Sequence, residues 1–230
     1  MAGIQNHLIE LLPRTARRTL LAICEPVDLV LSDRLSEPGT VTRYAYFPVD
    51  ATISLVTPID GKPVLEVGMV GREGMAGAEL VLGVLKAPFL AVVQGSGKAW
   101  RVPSRAFRRE LAASPALQLC LNRYLYVLMM QLGAAAACLR FHLIGPRLAR
   151  WLLMMQDRAH TDNFHVTHEF LAYMLGVRRV GITAAAGQLQ DDGLIEYSRG
   201  SLIVLSRRGL EAAACGCYAA DQRSYLAHLH

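Results

Sequence analysis

Two adjacent arginines are the residues of this 230-residue chain best placed to do chemistry. Arg178 and Arg179 follow Gly176 in VTHEFLAYMLGVRRVGITAAAGQLQDDGLI, residues 166–195, between two runs of apolar residues at helical spacing. Guanidinium groups at the amino end of a helix, where backbone N–H groups are also unpaired, suit phosphate oxygens or the edge of a guanine addressed bidentately. Thr183 and Gln190 lie farther along the second run. That chemistry is recognition of a polyanion rather than bond breaking. The competing reading for either arginine alone is a solvated surface charge.

The thiols are the second candidate. Cys24, Cys120, Cys138, Cys215 and Cys217 are odd in number and irregularly spaced, so they form no secreted disulfide framework. Only Cys24 falls in the first hundred residues, too few for a local iron–sulfur cluster there. Cys215-Gly-Cys217, with His228 and His230 beyond, suits a thiol sensor or a metal half-site. Its single intervening residue departs from the usual C-x2-4-C zinc spacing, so an inert or structural role is expected and no metal ligand is assigned. A cupin-type metal enzyme would need several histidines and a carboxylate converging in a β domain. Residues 31–102 contain no histidine. No catalytic residue is assigned, and a barrel-based small-molecule enzyme stays only as an alternative.

The elements that must position these groups follow from periodicity. Ile4, Leu8, Leu11 and Leu12 are spaced for a helix that Pro13 breaks before a second one near residues 17–24. Residues 27–102 change texture to short apolar stretches divided by glycine-containing turns, which predicts an all-β domain. IDGKP, residues 59–63, predicts a tight Asp-Gly hairpin. Glycines at 68, 71, 74 and 77 fit turns and tight packing, or a loop approaching a small ligand. After Pro115, Leu121, Leu125, Leu128, Leu132, Ala135 and Leu139 alternate spacings of four and three, the stripe of a helix facing a partner helix. The partner is a second copy of the chain, or the stripe packs on the β domain.

Gly145-Pro146 interrupts that helix and PRLARWLLMMQDR resumes one. Thr167 caps a helix that Gly176 ends, and Ile182, Ala185, Ala186 and Leu189 form the face of the next: helix, turn, helix. Two short strands joined by SRGS then make a wing with Arg199 at its tip, and Arg207 and Arg208 start a following helix. The expected division is residues 1–114, N-terminal helices and sensory barrel; 115–144, dimerisation helix and hinge; 145–230, winged helix-turn-helix with a C-terminal extension.

Composition agrees with a folded binding protein. Hydrophobic residues make up 53% and charged residues 19%, and a net charge of +5 is compatible with a polyanion partner without requiring one. The first residues lack a signal-peptide pattern, and the longest uncharged stretch, residues 124–139, is short for a membrane span. No membrane insertion and a cytoplasmic location are expected.

LSEPGTVTRYAYFPVDATISLV, the long helix, RLARWLL and GVRRVGITAAAGQLQDDGLI together resemble the Crp-Fnr superfamily of bacterial transcription regulators over nearly the full length. The resemblance implies an α+β fold: an N-terminal cyclic-nucleotide-binding-like double-stranded β-helix (jelly-roll) barrel, a long dimerisation helix and a C-terminal winged helix-turn-helix. It implies a homodimer on a roughly palindromic double-stranded operator, with a barrel effector acting through the hinge and RNA polymerase as a further partner. The candidate DNA contacts are Thr167, His168, Arg178, Arg179, Val180, Thr183 and Arg199. Arg179 matches the family's early recognition-helix arginine, while Val180 and Ala184 replace its glutamate and later arginine. The operator of the cyclic-AMP receptor protein is therefore not implied. Gly77, Glu79, Leu80 and Lys86 occupy the effector region, but the Arg-Ser pair for a cyclic phosphate is missing, so cyclic AMP is not expected. A dimeric signalling adaptor without specific DNA readout is the alternative.

Overall fold

The computed structural model describes residues 6–59, 62–159 and 161–229. Pro13 separates α1 (His7–Glu10) from α2 (Arg14–Leu21). Asn6 caps α1 through its Oδ1, while its Nδ2 donates to the carbonyls of Pro48 and Gly74. Leu8, Ile9, Leu12 and Leu20 are buried in the first core, with α1 against α4 and α2 against α3.

The apolar runs become β1 (Glu25–Leu29), β2 (Arg34–Ser36), β3 (Tyr44–Pro48), β4 (Thr52–Ile59), β5 (Lys62–Val70), β6 (Leu90–Gly95) and β7 (Gly97–Pro103). They pair as two antiparallel sheets, β1-β7-β3 and β2-β6-β4-β5. Two isolated bridges, Val41 with Lys86 and Tyr46 with Ala76, add to these, and no strand ladder among the described residues closes the sheets into one barrel. Alternation turns Ala91 and Val93 of β6 and Ile53 and Leu55 of β4 into the core with Phe47 and Phe107. The β4–β5 ladder runs to Ile59 opposite Lys62; the expected Asp60-Gly61 turn itself lies outside the described residues.

Gly71 and Gly74 answer to packing. A Cβ at Gly71 would meet the Arg158 side chain at 2.5 Å, and one at Gly74 the Tyr124 hydroxyl at 2.6 Å. These close approaches let Tyr124 donate to the Met75 carbonyl at 3.0 Å and Arg158 pair with Glu73 at 2.8 Å.

After α3 (Ser104–Ala113), α4 (Pro115–Phe141) starts with Ser114 accepting from the Leu117 amide and Pro115 in its first turn. By length and composition α4 could cross a membrane. Its inner face, however, is covered by the β domain: Leu117, Leu121, Tyr124, Val127 and Leu128 are buried there. The expected stripe lies on this inner side of the single chain. Leu121 and Leu128 sit in the chain's own core, Leu125 and Leu132 line a cavity against the sheets, and Ala135 and Leu139 lie near Gly68 and Trp151. Burial against the sheet claims that stripe first, because the same heptad spacing serves either partner. One exposed series is Asn122, Tyr126, Met129, Gly133, Ala136 and Arg140, again spaced by four and three; its first three members also border that cavity.

His142 and Leu143 separate α4 from α5 (Ile144–Ala159). A second core then gathers Leu148, Leu152, Leu171, Ile182, Leu189 and Leu202. It holds β8 (Asn163–His165), α6 (His168–Leu175), α7 (Arg179–Asp191), β9 (Ile195–Ser198), β10 (Ser201–Val204) and α8 (Arg207–Ala213). The sheet order is β8-β10-β9; β8, at three residues, is too short to show alternation in the sequence. Finally α9 (Cys217–His228) runs back along α4, where Tyr225 donates to the Glu73 carbonyl at 2.7 Å and Leu229 enters the first core.

Candidate nucleic-acid interface

The helix-turn-helix is built locally. Thr167 Oγ1 accepts from the Phe170 amide at 3.1 Å to cap α6, and Gly176, at φ 62°, ends it in the left-handed region that favours glycine. Arg178 is the N-cap residue of α7 and Arg179 its first residue; both are exposed, as are Val180, Thr183 and Ala184. Ile182, Ala186 and Leu189 face the core, so the polar and apolar sides of α7 are separated as the periodicity predicted.

The wing is fastened to that helix. Gln190 Oε1 accepts from the Tyr197 amide at 2.9 Å, and the Tyr197 hydroxyl donates to the Val166 carbonyl at 3.1 Å. Arg199 and Gly200 both have positive φ, 50° and 85°, as a two-residue hairpin matching strand twist requires. Arg199 thus projects from the tip, exposed.

His168, a candidate DNA contact, is held by neighbours within the domain. Its ring stacks on Tyr197 with centroids 4.3 Å apart, and its Nδ1 lies 3.1 Å from Thr183 Oγ1. Thr183 donates onward to the Arg179 carbonyl at 3.1 Å, so the imidazole Nδ1–H is the donor to the threonine. Burial, and then the Arg179 charge, lower the His168 pKa and favour the neutral ring. In this arrangement the His168 ring holds the Thr183 hydroxyl. At the start of α8, Arg207 pairs with Asp157 at 2.7 Å and Glu211 at 3.0 Å, while Arg208 stays exposed.

Residues 146–213, from α5 through α8, match the family model of the Crp-like helix-turn-helix domain. The chain has the Crp/Fnr regulator fold. A Crp/Fnr-family transcriptional regulator from Thermus thermophilus superposes with TM-score 0.68 at 21% identity, covering 83% of this chain and 98% of that one. FixK2 from Bradyrhizobium japonicum gives TM-score 0.70 at 11% identity, covering 84% and 98%. The c-di-GMP-responsive global regulator CLP of Xanthomonas campestris gives 0.68 at 15% identity, covering 84% and 100%. No curated protein matches the chain.

In this Crp/Fnr fold the β domain and α4 border a cavity of about 570 Å³. Gly77 and Glu79 line it with Leu55, Phe89, Asn122 and Met129, among others; among the described residues no lysine or arginine does. Leu80 is buried in the core beside it, and Lys86 sits in the bridge to Val41, outside the lining. Glu79 is engaged by a hydrogen bond from the Thr42 hydroxyl.

Sequence reasoning singled out Cys215 and Cys217 but missed the partners they meet where α4 ends. Cys138 and His142, one turn apart at the end of α4, meet Cys215 and Cys217 from the α8–α9 turn. Cys138 Sγ is 3.5 Å from Cys215 Sγ, and Cys217 Sγ is 3.6 Å from His142 Nδ1. A hydrogen bond from Cys215 pulls the Cys138 thiol down to about 7 against the effect of burial, with help from Arg150. Only the i, i+4 spacing of Cys138 and His142 hinted at a shared face.

Proposed function

We propose that this protein is a sequence-specific double-stranded-DNA-binding transcription regulator that acts as a homodimer in the cytoplasm. The observation that carries the reading is the exposed amino end of α7, where Arg178, Arg179, Val180 and Thr183 stand on a helix that Gln190 ties to the wing bearing Arg199. A helix of this diameter fits the major groove, its first residues addressing base edges while the wing contacts the backbone. Two copies joined along α4 would present two such ends to a roughly palindromic operator. RNA polymerase is the partner through which operator position would decide activation or repression.

The two sheets take the part of the cyclic-nucleotide-binding-like jelly roll, and their cavity favours an apolar effector. A cyclic phosphate there would find Glu79 and no cation. Responsiveness to c-di-GMP belongs to the Xanthomonas regulator and is not carried over.

The test is selection from a random duplex pool with the purified, ligand-free protein at near-physiological salt, where non-specific backbone attraction is partly screened. Enrichment of a palindrome is expected. Equal retention of all sequences, persisting through a screen of apolar ligands, would overturn the reading in favour of a signalling adaptor.

A further inference from the structure

The hinge cluster is built from four potential metal ligands of the right kinds. Cys138 is buried in the last turn of α4, His142 follows it at the helix C-cap, and Cys215 and Cys217 bracket Gly216 at the start of α9. Their ligand atoms all lie within 4.8 Å of one another. With zinc–sulfur bonds near 2.3 Å and zinc–nitrogen bonds near 2.0–2.1 Å, the edges of a tetrahedral site are about 3.8 Å between sulfurs and about 3.6 Å from sulfur to nitrogen. The 3.5 Å Cys138–Cys215 separation and the 3.6 Å Cys217–His142 separation fall close to those edges. A disulfide would need the sulfurs near 2.05 Å and an oxidant to accept two electrons.

We propose that Cys138, His142, Cys215 and Cys217 bind one Zn(II) in a closed Cys3His site that staples the DNA-binding domain to the end of α4. The Cys-x-Cys spacing is no obstacle, because the pair supplies only half of the ligand set. Binding exchanges the metal for three thiol protons, which pass to solvent, and no electron is transferred. The occupied site carries a single net negative charge. Arg147 and Arg150, from the first turns of α5, both interact electrostatically with Cys138 and Cys215. Arg150 pairs with Asp221 through Nη2 at 2.6 Å, while its buried Nε has no acceptor among the described residues. That spare donor and a second guanidinium are what a thiolate-rich centre requires around it.

The position gives the site a mechanical role. Cys215 is held to α5 by its amide, which donates to the Pro146 carbonyl at 3.3 Å, and Arg147 donates to the Leu175 carbonyl at the end of α6. Zinc would therefore fix α4, α5 and the α8–α9 turn about the His142–Leu143 joint.

Full-length protein, reduced and stripped by chelation, is loaded with Zn(II) and challenged with a chromophoric chelator; a parallel sample receives Co(II). The expected result is one zinc retained per chain and a tetrahedral cobalt spectrum with sulfur-to-cobalt charge transfer. His142→Ala and Cys217→Ser, which alter the more accessible ligands, are expected to lose retention while keeping the wild-type circular dichroism. Failure of the wild type to retain zinc, equal retention by both variants, or an octahedral cobalt spectrum without sulfur charge transfer would each overturn the site. Metal retention is measured without DNA, so its outcome is separate from that of operator selection.

Discussion

Arg179 is the side chain on which base reading turns. It begins α7, is exposed, and belongs to no ion pair found among the described residues. If its guanidinium reads a base pair, Arg179→Ala reduces specific binding by about 1–3 kcal/mol in a competition assay and relaxes preference at one position of each half-site. Unchanged affinity and preference would remove it from the readout. Val180, 72% exposed, can offer only an apolar contact to a thymine methyl, a less directional signal than a carboxylate. The arginine pair was legible because the helix start that exposes it is a local property of the chain. The partners of His168 and Arg207 were not, since Tyr197 and Asp157 approach them only once the wing and α5 are packed.

Among the elements, α4 decides how two copies could meet. Its exposed series of Asn122, Tyr126, Met129, Gly133, Ala136 and Arg140 has small residues in the middle, where two helix backbones could approach closely. A Cβ at Gly133 meets nothing within 4 Å in the single chain. Gly133→Glu should therefore be tolerated by the protomer, and it improves helix propensity by about 0.5 kcal/mol or more. Across a two-fold axis it places like charges against each other. The expected outcome is a shift to monomer in sedimentation velocity; a dimer as stable as wild type would show that another face is used. The heptad rhythm of α4 was plain in the sequence, but it serves an inward and an outward stripe equally well.

At the scale of the molecule, the two cores are joined by a hydrogen bond onto a carboxyl held away from solvent. Trp151 Nε1 on α5 donates at 2.9 Å to Glu66 on β5, whose other oxygen accepts from Ser54 at 2.5 Å. Burial raises the Glu66 carboxyl from 4.5 to about 7, against those hydrogen bonds and the charges of Arg158 and Arg150. Between these values the folded chain holds a proton that the unfolded chain has released. The contribution to stability is thus complete below about pH 4.5 and is lost as pH rises through about 7. Urea titrations should show this group removing up to about 2.5 kcal/mol between about pH 5 and 8. Glu66→Gln, which keeps an acceptor for Trp151, should flatten that slope; an unaltered slope would assign the pH dependence elsewhere. The sequence by itself determined the helix-turn-helix, the wing, the sheet-forming region and the break after α4, because capping, turn chemistry and periodicity act over a few residues. Only the tertiary structure decided which stripe of α4 faces inward, that α9 returns to the first core, and that Cys138 meets Cys215 across 77 positions. Such contacts depend on how whole elements pack to bury apolar surface, and local spacing carries no record of which distant faces that burial brings together.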